Sequence, residues 1–267
     1  MRTAGVIRMM KPLNRETALA AVVLIGLSLA STGHARDAGD REAALFEHPA
    51  HVQTVKAKSA DDPIGEITCT SYANLMIRET GTDTPDPGAA GLVRIPAGAK
   101  RPVCGHAALP GSIALKTDGQ SLLGRKGGFL VFGDTDPNGA VSFQVIAASN
   151  GRQLFADAKT GQGFTAVSLK DGALHLVYRR GFNAACSMVK DAASCWADVV
   201  RQGAIPPDMA KSPPAAKACA AAYAKDQPRP APADDPSIIA YALDLTVAAS
   251  GKVTVNSHGA PTCEPMP

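Results

Sequence analysis

Residues 140–180, AVSFQVIAASNGRQLFADAKTGQGFTAVSLKDGALHLVYRR, alternate apolar and polar side chains and are punctuated by tight-turn dipeptides. In Ala140–Ser149, Val141, Phe143, Val145 and Ala147 share one face. Asn150-Gly151 then offers the type I′ turn, whose two central positions want positive φ. Arg152–Asp157 and Phe164–Lys170 continue the pattern, and Asp171-Gly172 makes a second tight turn into Ala173–Arg180. There Leu174, Leu176 and Tyr178 lie on one face and His175 and Arg179 on the other. A period of two is the signature of half-buried strands. Strands joined by two-residue turns are antiparallel neighbours. With the short apolar run Phe129–Asp134 placed before it, residues 127–182 read as a meander.

The pattern returns toward the C-terminus. Ile239, Tyr241, Leu243, Leu245 and Val247 alternate with small or polar residues, and Ala248–Gly251 turns the chain toward Val253 and Val255. Upstream, Ile67–Glu79 and Gly91–Ile95 read as strands, although YANLMIRE (72–79) also fits two helical turns. Helical character is best in Met188–Val200, with a second short helix expected over Ala215–Lys225 from its good helix formers. VIAASNGR (145–152) and TVAASGK (246–252) echo one another as similar hairpin turns rather than as a repeat. The fold class is therefore mainly β: an antiparallel meander or sandwich-like domain with two short helical segments and up to three disulfides. Residues 36–63 read as a flexible N-terminal arm and 64–267 as a single mostly β domain. Residues 204–236 form a proline- and alanine-rich excursion from it.

Residues 1–35 have the layout of a signal peptide. Arg2, Arg8, Lys11 and Arg15 form a basic start, Ala18–Ala30 an uncharged apolar run, and Gly33-His34-Ala35 or Ser28-Leu29-Ala30 a small-residue cleavage site. An apolar run of 13 residues is too short to span a hydrocarbon core of roughly 30 Å as a helix. No cysteine follows it to carry a lipid, and no second long apolar run occurs, so no membrane span is expected after cleavage. The full chain holds 27 basic and 24 acidic residues; removing the leader leaves 23 of each. A neutral mature chain without a basic stripe argues against nucleic acid as a partner.

All six cysteines lie beyond the leader: Cys69, Cys104, Cys186, Cys195, Cys219 and Cys263. An even count in an exported chain reads as disulfides. Pairing neighbours in sequence closes the smallest loops and gives Cys69–Cys104, Cys186–Cys195 and Cys219–Cys263. No C-x-x-C or Cys/His spacing supports zinc.

Few residues stand out as sites. Asp134-Thr135-Asp136-Pro137-Asn138-Gly139 places oxygen side chains at alternating positions before a glycine, like the first half of a calcium loop. Asp134, Asp136 and Asn138 are thus candidate calcium ligands. The twelfth loop position is Val145, where a bidentate glutamate belongs, and the same residues perform ordinary turn chemistry. His48 and His51 sit beside Glu47 at a spacing that one helical turn would bring together, within a segment that reads as solvated. Gly124–Gly128 (GRKGG) is a basic glycine turn that could seat an anion. Trp196, the single tryptophan, reads as packing on its neighbouring cysteine. No nucleophile elbow, H-E-x-x-H, S-x-x-K or phosphate-binding loop is present. The leading expectation is a periplasmic or secreted non-catalytic protein of the binding or inhibitor type, with an envelope or secreted protein as its partner and no cofactor beyond the calcium candidate. An envelope hydrolase using Asp/Glu or calcium, and a calcium-stabilised structural protein, are the alternatives.

Overall fold

The strand Phe129–Gly133 is buried along its whole length, on both faces, and the layers that bury it define the architecture. The computed structural model describes residues 40–59, 62, 65–81, 89–134, 139–226 and 229–266. β1 (His51–Val55), β2 (Ile67–Ser71), β3 (Leu75–Thr80), β4 (Ala90–Arg94) and β5 (Ile113–Leu115) form one antiparallel sheet in chain order. β6 (Ser121–Lys126), β7 (Phe129–Gly133), β8 (Ala140–Ala147), β9 (Gln153–Lys170), β10 (Ala173–Asn183), β11 (Ser237–Val247) and β12 (Val253–Pro265) form a second, also in chain order. α1 (Ala192–Arg201) and α2 (Ala216–Ala224) lie between β10 and β11. Both sheets are meanders, as local turns joining antiparallel neighbours require.

The smaller sheet packs on one face of the larger. Tyr72, Leu75, Ile77, Leu92 and Leu115 meet Leu130, Phe132 and Ile146 there. The opposite face of the larger sheet carries Phe129, Val131, Phe143, Val145, Leu174 and Leu176, covered by Phe46, Met188, Trp196, Val199 and Ile205. β7 is therefore a continuous apolar run because it has a layer on each side. β10 alternates because its second face, with His175, Val177 and Arg179, is only partly covered. The outer face of the smaller sheet has its own cluster of Ile67, Met76 and Ile95.

Two of the disulfides tie a covering segment to a strand, and the third ties α1 to the segment that leaves β10. Cys69 of β2 joins Cys104, Cys186 beyond β10 joins Cys195 of α1, and Cys219 of α2 joins Cys263 of β12. These are the three pairings that loop length favoured. Each stabilises by about 2–4 kcal/mol, chiefly by restricting the unfolded chain.

Local differences from the sequence reading have physical causes. Asp171 and Gly172 both take positive φ, +52° and +75°, as a type I′ turn requires. At Asn150-Gly151 only Gly151 does, at +72°. The Gly151 and Asn150 N–H groups both reach the Ala147 carbonyl, so this turn is longer and ends on a left-handed glycine. The two runs 152–157 and 164–170 belong to one long strand, β9, interrupted by a bulge. YANLMIRE splits into a short turn and β3. The segment expected to form a flexible arm supplies β1, and Phe46 within it is 5% exposed. Phe46 fits against Gly124, where a Cβ would lie 2.4 Å from its ring.

Candidate functional site

Lys159 of β9 faces Arg180 of β10, whereas two residues earlier Tyr178 faces Phe164. The surplus on β9 bulges outward, with Gly163 at φ +77°. Thr160, Gly161 and Gln162 of the bulge line a cleft of about 330 Å³. Ala222, Lys225 and Asp226 at the carbonyl end of α2 line it as well, with Ile238, Glu264 and Pro265. The Cys219–Cys263 bridge joins α2 to the strand that carries Glu264, so it fixes two sides of the cleft. Gly139 also lines it at φ +93°, with Asn183 so close that a Cβ would meet its Oδ1 at 2.9 Å.

Thr160 is 1% exposed, and its Oγ1 has no hydrogen-bond partner among the described residues. A buried hydroxyl without a partner costs about 1–3 kcal/mol, so native proteins rarely leave one. Glu264 is engaged: Arg179 Nη1 donates to its Oε1 at 3.0 Å, and Arg179 also donates to Thr262.

Three further polar groupings hold the layers together. Asp157 accepts from the Tyr178 hydroxyl at 2.6 Å and pairs with Arg180 Nε at 2.7 Å. Arg180 also donates to the Tyr241 hydroxyl at 3.1 Å. Burial, then the Asp157 charge, push the Tyr178 phenol far above its ordinary range. Burial also raises Tyr241, against the pull of Arg180. Next to this group, Lys159 Nζ lies 3.1 Å from Glu42 Oε1, with side chains 3% and 12% exposed. Glu42 Oε1 also accepts the Phe164 N–H at 2.9 Å.

The third grouping lies at the seam of the sheets. The Leu122 N–H of edge strand β6 donates to Glu79 Oε1 of β3 at 2.7 Å. Burial raises the Glu79 carboxyl, and that hydrogen bond opposes it. Burial also lifts the nearby Tyr72 phenol to about 12, opposed chiefly by Arg125, whose guanidinium lies 5.3 Å from the ring centre. A carboxyl raised in the fold makes stability fullest below its unfolded value, and that stability is lost as pH rises through the folded value. Glu79→Gln keeps the acceptor for Leu122 and removes the charge. Urea unfolding across pH will therefore show this variant gaining on the parent as pH rises above the ordinary carboxylate range. Parallel profiles would refute a strained Glu79.

The candidates from sequence are dispersed. Asp134 Oδ2 accepts from Ser142 Oγ at 2.5 Å, and Ser142 in turn accepts from Gln120 Nε2 at 2.6 Å. Asp136 and Asn138 lie outside the described residues. Among the described residues, no group of three or more His, Cys, Asp or Glu is arranged to hold a metal. His48 and His51 are exposed; His48 lies in no regular element and His51 opens β1, so no helical turn brings them together. The basic glycine turn already has its anion: Glu47 Oε1 accepts the Gly127 N–H at 2.5 Å, and Oε2 lies 3.5 Å from Arg125 Nε. Trp196 joins the core beside Cys195 and donates to the Ala210 carbonyl at 2.9 Å. His258 Nε2 lies 3.7 Å from Asp244 Oδ2 on the open part of the larger sheet. Sequence reasoning missed the cleft; its residues come from five separate segments, and only Gly161 and Gly163 inside a strand pattern hinted at the bulge.

No family model, curated protein or solved structure matches this chain. The fold and the cleft define the class on their own: a two-sheet antiparallel β protein braced by three disulfides. Among the described residues no helix is long and apolar enough to cross a membrane.

Proposed function

We propose that the chain is an exported, non-catalytic binding protein that holds a small polar ligand between the β9 bulge, the end of α2 and the end of β12. The observation that carries this reading is the cleft itself, whose lining carries Gln162, Asp226 and Glu264 and is tied on two sides by the Cys219–Cys263 bridge. A volume of about 330 Å³ sits at the small end of ligand pockets, roughly 300–1,000 Å³. The leader and the three disulfides support an oxidising destination, the periplasm or the medium.

Native mass spectrometry of protein purified gently from periplasm and medium tests both parts. The expected species is the chain cleaved after Ala35 or Ala30, lighter by six hydrogens for its three bridges, with a small noncovalent adduct. Ala222→Trp, which fills the cleft from α2, abolishes the adduct. A leader-bearing mass defeats the export reading, and an adduct that survives Ala222→Trp defeats the cleft as its site.

A further inference from the structure

We infer that the loop leaving β4 is an inhibitory site for an endopeptidase of the trypsin type, with Lys100 as the residue that enters the enzyme's primary pocket. The loop belongs to the smaller sheet and shares no residue with the cleft, so this inference stands or falls apart from it. Both ends of residues 96–103 are pinned in one apolar cluster. Ile95 and Cys104, 8% and 7% exposed, pack there with Ile67, Cys69 and Met76. The Ile95 N–H donates to the Asn74 carbonyl at 2.9 Å, and the Cys69–Cys104 bridge ties the other end to β2. Just beyond that bridge, Arg78 donates to the Gly105 and His106 carbonyls at 3.0 and 2.9 Å.

Between these anchors the chain stands in solvent. A turn closed by the Ala99 N–H on the Pro96 carbonyl, with Gly98 at φ +74°, leads into Ala99–Cys104, which has no further turn or bend. Lys100 and Arg101 are exposed, and Val103 is 85% exposed. A Cβ on Gly98 would meet nothing within 4 Å. Among the described residues neither Lys100 nor Arg101 has an ion-pair or hydrogen-bond partner for its side chain. Pro102 fixes its own φ and holds Arg101 in the extended region. Endopeptidases bind an exposed, extended segment, and one already held in shape loses less entropy on binding.

Chemistry selects the bond. A primary pocket of the trypsin type carries a carboxylate and takes Lys or Arg. Arg101 is followed by Pro102, whose ring crowds the peptide bond and whose nitrogen has no hydrogen. Val103 is followed by the buried Cys104, which keeps that bond out of an enzyme's reach. Lys100–Arg101 is the exposed basic bond that remains. There the enzyme's serine hydroxyl adds to the Lys100 carbonyl, its proton passes through the histidine to the Arg101 nitrogen, and the Lys100–Arg101 bond breaks. The new amine does not diffuse away, because the chain through Pro102 and Val103 to the bridged Cys104 holds it in place. It returns to the acyl carbon, gives back the proton and re-forms the bond, so the enzyme stays occupied.

The test is inhibition of trypsin, chymotrypsin and elastase by the mature, oxidised protein, each enzyme assayed on its own small peptide substrate. Trypsin is inhibited with a Ki at or below about 1 μM, and the other two enzymes, whose pockets are apolar or small, are not. Lys100→Ala raises that Ki at least about thirtyfold, as the loss of a central anchor does. Its Tm stays put, because the side chain is exposed and unpaired. Lys100→Phe transfers inhibition from trypsin to chymotrypsin. Ala222→Trp, which fills the cleft, changes none of this. If the Lys100–Arg101 bond is cut as fast in the folded protein as in the reduced, unfolded chain while trypsin stays active, the loop is a plain substrate and the inference is wrong. Inhibition that survives Lys100→Ala, or that Lys100→Phe leaves on trypsin, places the contact elsewhere and overturns it too. No inhibition of trypsin up to about 100 μM does the same, whatever the cleft binds.

Discussion

Glu42→Ala lowers the free energy of unfolding by about 3–5 kcal/mol, the usual cost of stripping one partner from a buried ion pair. Lys159 is 3% exposed and lies 3.1 Å from Glu42 Oε1, so the variant strands an ammonium beneath the N-terminal segment. It also removes the acceptor of the Phe164 N–H. That loss is large against a total stability of roughly 5–15 kcal/mol. Glu42→Gln retains an oxygen for Phe164 and fails only on charge, so its cost is smaller. Replacing both partners, Glu42→Leu with Lys159→Met, removes the stranded charge and recovers most of the loss. Urea unfolding of the four proteins measures the set. An Ala variant within about 0.5 kcal/mol of the parent, the level of an ordinary surface change, would show that the segment does not hold Lys159.

That pair also marks where the sequence stops being readable. Glu42 and Lys159 are 117 residues apart, and each looks like a solvated charge in its own neighbourhood. Phe46 is a lone aromatic in a polar stretch, and nothing local says that it plugs a space left by Gly124. By contrast, β8, β10 and β11 were legible because one face of each meets the core, which imprints the period of two. The helices α1 and α2 were legible from residue preference; α1 starts four residues later than expected, and the other ends agree to within one residue. The disulfides followed loop length because each joins segments that are neighbours along the chain: two close onto a strand and one closes onto α1. The cleft was hidden for the same reason as the ion pair. Thr160, Lys225, Asp226 and Glu264 converge only after the bulge, the helix and the last strand are in place. The glycines that permit the bulge read in sequence as a break between two strands, which is how β9 came to be divided.

Phe143→Ala costs about 3–5 kcal/mol, because this ring is the hub of the larger core. It is fully buried, its centre lies 5.0 Å from those of both Phe164 and Tyr178 in edge-on contact, and Phe155 is 6.1 Å away. Phe164 links the hub to Phe46, and Tyr178 links it to Asp157, so the cavity opens between the N-terminal segment and the Asp157–Arg180 pair. Phe143→Leu keeps most of the volume and loses less than half as much. The phenol gives a second, independent readout. Burial is the largest cause of its raised pKa, so a cavity that admits water beside Tyr178 moves its ionisation downward. The sign of the linkage follows: an acid raised by the fold favours folding fully below its unfolded pKa, and that contribution is lost as pH rises through the folded value. In the folded parent the phenol therefore stays protonated past pH 10, the ordinary tyrosine value, while stability declines above that pH, and Phe143→Ala shows tyrosinate absorbance and unfolding at lower pH. If the variant loses stability while tyrosinate appears at the parent's pH, the core has closed over the cavity without wetting Tyr178. The Asp157 hydrogen bond, rather than the ring packing, would then be what keeps the phenol neutral.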